Sequence, residues 1–72
     1  MKVIGAELYS WCVLFVFEGG YSCYKYYSGR EVWFDKTGQF HRENGKPAII
    51  HADGTKEWWV NGNHIRTENL GA

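Results

Sequence analysis

Two stretches of the chain repeat one another and decide the fold: Gly29-Arg-Glu-Val-Trp-Phe-Asp-Lys-Thr-Gly-Gln-Phe-His-Arg-Glu43 and Gly54-Thr-Lys-Glu-Trp-Trp-Val-Asn-Gly-Asn-His-Ile-Arg-Thr-Glu68. Trp33 recurs 26 positions later and Arg42 recurs 24 positions later, so the turn of the second copy is shorter by two residues. Each copy has a run of Val, Phe and Trp, a glycine turn and a second run, which is typical of a β-hairpin. The repeat therefore predicts an antiparallel sheet.

The rest of the chain follows the same pattern. Further turn signals lie at Gly19-Gly20, Asn44-Gly45 and Asp53-Gly54, and they separate runs rich in β-branched and aromatic residues. No segment between Trp11 and Arg66 has a sustained helical period with caps. Residues 2–9 fit either a first strand or one helical turn.

We predict an all-β fold in which roughly five to seven short antiparallel strands form a meander. At 72 residues the chain has room for one domain, 1–72, with an N-terminal strand or hairpin region at 1–28 and the two-unit repeat at 29–66. The aromatic content of 18% compensates for the small core, because each buried ring removes roughly 150–250 Å² from water.

The turns also predict which residues face one another. A two-residue turn at Asn61-Gly62 and a four-residue loop at 35–38 give these pairs: Glu57 with Arg66, Trp58 with Ile65, Trp59 with His64, Glu31 with Arg42, and Trp33 with Phe40. Both hairpins place a Glu opposite an Arg, and such pairs are favourable by roughly 0.2–1 kcal/mol. We therefore expect each Glu–Arg pair to share one face of the sheet.

The other two turns predict a core face. A two-residue turn at Asp53-Gly54 pairs Ile49 with Trp58, which places Ile49, Trp58, Val60 and Ile65 on a buried face and Trp59 on a half-exposed one. We accordingly expect Trp58→Ala to unfold the domain and Trp59→Ala to be tolerated. A two-residue turn at Gly19-Gly20 pairs Cys12 with Tyr27 and Cys23 with Val16.

Composition excludes several classes of function. Eight basic and eight acidic residues cancel, so no global field draws the chain to nucleic acid or to anionic membranes. The longest apolar run, Cys12–Phe17, is far shorter than the roughly 20 residues that span a bilayer, and Glu7 interrupts the segment where a signal peptide would be apolar. We predict a cytoplasmic protein with reduced cysteines and no membrane contact.

No catalytic or metal site emerges from the reactive residues. The predicted registers place His51 and His64 on opposite faces, so these rings and His41 do not converge on a metal ion. Cys12 and Cys23 lie too far apart along their hairpin to form a disulfide, which favours two buried thiols. We predict no enzymatic activity and no cofactor.

One predicted face combines rings with cationic side chains: Trp33, Phe40, Arg42, Trp59, His64 and Arg66. Three interpretations stay open for this face. It is a minor core under the N-terminal segment, a protein-binding patch, since Trp, Tyr and Arg dominate binding hot spots, or a platform on which single-stranded bases stack.

Part of the repeat resembles a known pattern. The segments His41-Arg-Glu-Asn-Gly-Lys-Pro-Ala48 and Asp53-Gly-Thr-Lys-Glu-Trp-Trp-Val-Asn-Gly62 resemble a small-protein repeat of tailed bacteriophages, approximately His-Arg-x-x-Gly-x-Pro-Ala followed by Asp-Gly-x-x-x-Trp-x-x-Asn-Gly-x-x-His-Arg. The pattern is also distantly similar to MORN-type hairpin repeats. The chain departs from it at Ile65, which separates His64 from Arg66.

The resemblance implies a phage accessory protein with a β-hairpin fold. Small phage proteins without enzymatic motifs often act by binding and blocking a host protein. We therefore expect a non-enzymatic protein-binding module that inhibits or modulates a bacterial host protein by occlusion. Components of host defence machinery are among the expected targets. The alternative is a single-stranded nucleic-acid-binding protein. We also expect a homodimer, because the apolar strand 11–17 needs cover on two faces and a meander leaves open edges.

Overall fold

The computed structural model describes residues 2–69, which form one open antiparallel sheet of seven strands in chain order. The strands are β1 (Val3–Leu8), β2 (Cys12–Phe17), β3 (Ser22–Tyr26), β4 (Glu31–Phe34), β5 (Ile49–Ile50), β6 (Lys56–Val60) and β7 (Asn63–Glu68). The predicted all-β meander is confirmed, and the ambiguous residues 2–9 contain strand β1. The ends of the predicted domain, residue 1 and residues 70–72, lie outside the described residues.

Four connections share one three-residue turn that the sequence analysis did not recognise. At the first, the Phe17 N–H donates to the Tyr21 carbonyl at 2.8 Å and the Gly20 N–H donates back to the Phe17 carbonyl at 3.2 Å. The same two bonds recur in the turns at 26–30, 35–39 and 51–55. The third loop residue is always a glycine with φ between 84° and 103°, a conformation that glycine adopts at least cost.

This turn explains why three predicted registers are wrong by one residue. Cys12 lies opposite Tyr26 rather than Tyr27, and Cys23 opposite Phe15 rather than Val16. Ile49 lies opposite Glu57 rather than Trp58, and Phe40 bridges Phe34 rather than Trp33. A slip of one residue moves every side chain to the other face, so Ile49 and Trp58 do not share a core face.

The hairpin at Asn61-Gly62 begins as predicted and then deviates. Trp59 lies opposite His64, but a β-bulge follows and Trp58 lies opposite Arg66. Ile65, the residue that departs from the phage pattern, is the extra residue of this bulge. Glu57 therefore lies opposite Thr67, and the prediction that Glu57 and Arg66 share a face is wrong.

The two faces of the sheet differ in character. The loop face carries Phe17, Cys23, Glu31, Trp33, Lys56, Trp58 and Arg66, and the ring face carries Cys12, Tyr24, Tyr26, Phe34, Phe40, Trp59 and His64. Both cysteines are free and buried, which confirms the predicted buried thiols. Since each face contributes one of them, the small core lies on both sides of a single sheet.

Aromatic rings pack against one another across most of the ring face, in stacked, tilted and edge-to-face arrangements. The centroids of Tyr26 and Tyr24 lie 6.5 Å apart, those of Tyr24 and Phe34 5.8 Å, and those of Phe34 and Phe40 5.3 Å. Trp59 extends the row, with its ring 5.1 Å from Phe40 and 5.1 Å from His64. Because each pair contributes roughly 0.5–1.5 kcal/mol beyond burial, this row joins strands that are far apart in sequence.

Candidate functional site: a clasped loop on the sheet

Between β4 and β6, the stretch of chain that pairs with β4 is interrupted by a loop. The His41 N–H donates to the Trp33 carbonyl at 3.2 Å, and the Trp33 N–H donates to the Ala48 carbonyl at 2.7 Å. The chain thus leaves the sheet beside Trp33 and returns beside the same residue. We call the excursion, residues 42–47, the clasped loop.

Two side chains fix the clasped loop. At its base, Nη1 of Arg42 donates to the Pro47 carbonyl at 3.2 Å. At its tip, Nε1 of Trp58 donates to the Gly45 carbonyl at 2.9 Å. Asn44 and Gly45 form the tip turn with φ of 64° and 68°. The tip residues from Glu43 to Lys46 are exposed, although the Glu43 carboxylate lies 3.7 Å from Nε2 of His41.

A tryptophan–arginine stack lies on each side of the loop. The Arg42 guanidinium carbon lies 4.1 Å from the centre of the Trp33 ring, and that of Arg66 lies 4.0 Å from the centre of the Trp58 ring. Such contacts contribute about 0.5–1 kcal/mol at exposed sites. The stacks make each guanidinium a fixed part of the surface.

Each arginine also has an acidic partner. Arg42 lies 3.4 Å from Glu31, which confirms that this predicted pair shares a face. Arg66 lies 3.3 Å from Glu68 instead of Glu57. The Glu31 carboxylate additionally accepts a hydrogen bond from the Trp33 indole at 2.6 Å. Each of the two stacked guanidinium groups is therefore paired with a carboxylate, and Glu31 is shared with Lys25, whose Nζ lies 3.6 Å away.

A cleft of about 380 Å³ lies between the clasped loop and the strands β6 and β7. Trp58, Val60 and Ile65 line its apolar side, and His41 with residues 42–46 of the clasped loop lines the other. Since pockets for small ligands span roughly 300–1,000 Å³, the cleft accommodates a side chain or a short segment of a partner.

The six side chains predicted to share one site lie on two faces. Trp33, Arg42 and Arg66 belong to the loop face, with Trp58 between them, whereas Phe40, Trp59 and His64 belong to the ring face. Trp58, which was predicted to lie on a buried face, is only half-buried, and Trp59 is half-buried on a face that was predicted to be half-exposed. The tip of the clasped loop was missed; its sequence signal was the Asn44-Gly45 dipeptide, interpreted as a turn between two strands.

The histidines serve separate hydrogen bonds. Nδ1 of His41 accepts from the Asn61 N–H at 2.9 Å, and Nε2 of His64 lies 2.7 Å from the Thr67 hydroxyl. His51 bonds to Glu57 and thereby lowers the pKa of that carboxyl. Within residues 2–69, no three His, Cys, Asp or Glu side chains cluster closely enough to hold a metal ion.

Several residues that were compared with the tailed-phage repeat in the sequence analysis build the clasped loop. Arg42 closes its base, and the Gly45 carbonyl accepts the hydrogen bond that the Trp58 indole donates. Ala48 is fully buried where the chain re-enters the sheet. The unspecified positions of the pattern, Glu43 and its neighbours Asn44 and Lys46, are the exposed tip.

A search against protein-family models, curated proteins and solved structures finds no match to this chain. The described part of the chain contains no helix with the length and apolarity needed to cross a bilayer.

Proposed function

We propose that this chain is a non-enzymatic protein-binding module whose clasped loop, with the flanking Trp33–Arg42 and Trp58–Arg66 stacks, occludes a site on a bacterial host protein. The observation that carries the proposal is the pair of hydrogen bonds that holds the loop, from Arg42 to Pro47 and from Trp58 to Gly45. A loop that is ordered before binding loses little conformational freedom on binding, which favours affinity.

The chemistry of the loop face supports a protein target. Tryptophan and arginine are the side chains most enriched at the centres of protein interfaces, and here two of each are held in place beside an apolar cleft. The exposed tip offers a carboxylate at Glu43 and an ammonium at Lys46 for specificity.

The environments of Cys23 and His41, two side chains that often act in catalysis, favour a non-enzymatic role. The Cys23 thiol is buried, and burial raises its pKa to about 12, so it forms little of the nucleophilic thiolate near neutral pH. His41 is buried and serves as a hydrogen-bond acceptor for the backbone of Asn61.

The resemblance to a tailed-phage repeat supports the kind of target. A phage accessory protein works in the host cytoplasm, and an occluding module suits a host enzyme or a component of host defence. The single-stranded nucleic-acid alternative has less support. The ring face carries no lysine or arginine from the seven strands, and Arg42 and Arg66 on the other face are paired with carboxylates.

Affinity capture from bacterial lysate tests the proposal. We expect the tagged chain to retain one protein in stoichiometric amount, and we expect the Lys46→Glu/Arg66→Ala variant to retain at least about tenfold less, a loss of roughly 1.4 kcal/mol. The matched control is Lys36→Glu/Arg30→Ala, which makes the same charge changes in two other turns. Recovery of nucleic acid that salt releases, or equal capture by both variants, would contradict the proposal.

A further inference from the structure

The sheet has two unpaired edges of unequal character. β7 carries His64, Arg66 and Glu68 along its edge, and charges of this kind discourage further strand pairing. β1 at the other edge reads Val-Ile-Gly-Ala-Glu-Leu, with Glu7 as its single charge. The β1 edge therefore offers backbone donors and acceptors beside apolar side chains.

Exposed apolar groups concentrate beside β1. Residues 2–69 expose eight large hydrophobic side chains, of which five lie in β1 or in the turn that follows it: Val3, Ile4, Leu8, Tyr9 and Trp11. At the end of β1 the Tyr9 and Trp11 rings stack at 6.0 Å, so the apolar surface of the strand continues into the turn. Patches of this kind mark surfaces that a partner covers.

We propose that β1 pairs in antiparallel fashion with β1 of a second copy, about a two-fold axis that passes through Ala6. Opposite residues of an antiparallel pair point to the same face, so the axis must pass through a residue rather than between two. This inference does not depend on the proposed function, since it rests on the backbone edge and the side chains of β1.

The side chains of β1 select Ala6 among the available axes. An axis at Glu7 places two carboxylates directly opposite each other, which is destabilising, and an axis at Gly5 places Leu8 opposite Lys2. The axis at Ala6 places Ile4 opposite Leu8 of the partner subunit twice, and these side chains are 62% and 79% exposed in the single chain. Ile4 is the extra residue of the β-bulge between Val3 and Gly5, so the pairing is regular from Gly5 to Glu7 and each Ile4–Leu8 contact lies at the bulge.

Replacing Ile4 and Leu8 by oppositely charged residues tests this register. In sedimentation at micromolar concentration we expect a species of twice the 8.4 kDa chain mass. Ile4→Lys and Leu8→Glu should each weaken association at least about tenfold, because each removes two apolar cross-strand contacts per dimer. The double variant Ile4→Lys/Leu8→Glu should restore it, since the introduced ammonium and carboxylate groups lie opposite one another.

A matched control and salt complete the test. Ile65→Lys makes the same substitution at an exposed isoleucine of β7 and should leave the dimer intact, with circular dichroism reporting the fold of every variant. Salt should strengthen the wild-type dimer, whose Glu7 carboxylates lie diagonally across the axis, and weaken the double variant. A wild-type chain that sediments only at 8.4 kDa, a dimer lost in Ile65→Lys, or a double variant no tighter than its parents overturns the proposal.

Discussion

Replacing Trp58 by Phe removes the indole hydrogen bond that fixes the clasped loop but keeps an aromatic ring at this position. The phenyl ring still offers a face to Arg66, whose guanidinium carbon lies 4.0 Å from the indole ring, but it cannot donate the 2.9 Å hydrogen bond to the Gly45 carbonyl. The substitution therefore tests one contact, the bond that fixes the loop tip.

The expected magnitude follows from the environment of that bond. A neutral hydrogen bond contributes about 0.5–1.5 kcal/mol net, and Trp58 is half-buried, so we expect a loss of about 1 kcal/mol. For a domain of this size such a loss lowers Tm by roughly 4–8 °C. If the tip opens by the same free energy, the Lys46 amide, which donates to the Glu43 carbonyl within the tip, exchanges about fivefold faster.

Trp59→Phe provides the matched control. It removes an indole hydrogen bond of similar length, 3.0 Å, from Trp59 to the Glu57 carboxylate, but on the ring face. We expect at least as large a loss in thermal unfolding, because this bond has a charged acceptor, and no change in exchange at Lys46 measured by NMR. Equal exchange at Lys46 in wild type and Trp58→Phe, or equal acceleration in both variants, would refute the idea that the indole of Trp58 holds the loop.

Three other measurements address stability and reactivity. We expect Trp59→Ala to lower the free energy of unfolding more than Trp58→Ala in urea titrations, the reverse of the sequence-based expectation, because Trp59 packs between two rings of the ring face. The hydrogen bond from His51 lowers the pKa of Glu57 in the folded state, so its stabilising effect is complete above the ordinary carboxyl pKa of about 4.3 and lost at lower pH. Glu57→Gln should accordingly flatten the fall in stability below about pH 4, measured by thermal unfolding. Burial that raises the pKa of Cys23 to about 12 should make its alkylation by iodoacetamide slow in the native protein and fast in urea, and rapid native alkylation would contradict the structure.

The fold was predictable because its signals are local. Glycine turns between β-branched and aromatic runs indicate a meander whatever the register, and the structure has that architecture. The register was less predictable, since Gly20 and Gly54 fit either two-residue or three-residue turns by sequence, and Gly38 fits either a three-residue or a four-residue turn. At Asn61-Gly62 both central residues take positive φ, and there the predicted two-residue turn is correct.

The candidate site was less predictable because its faces depend on register. Across the sheet, Glu31 lies opposite Ile50, which lies opposite Lys56. The equivalent of Glu31 by sequence is Glu57, one residue further along. That offset places the two Glu-x-Trp motifs on opposite faces, although both keep the same indole-to-carboxylate hydrogen bond. The repeat in the sequence therefore predicts the hydrogen bond within each Glu-x-Trp motif correctly, but it wrongly predicts that the two motifs share one face of the sheet.

The two faces make different demands on the sequence, and this bears on which residues can vary. On the ring face, the row from Tyr26 to His64 joins β3, β4, β6 and β7 through ring contacts, so substitutions there act on the whole sheet. The tip of the clasped loop is exposed, and Arg42 and Trp58 hold it through the backbone carbonyls of Pro47 and Gly45, contacts that do not involve the side chains of Asn44 or Lys46. Exposed substitutions away from such contacts usually change stability by no more than about 0.5 kcal/mol. Positions 44 and 46 can therefore change their chemistry at almost no cost to the fold, which is the property that a scaffold for recognising different protein targets requires.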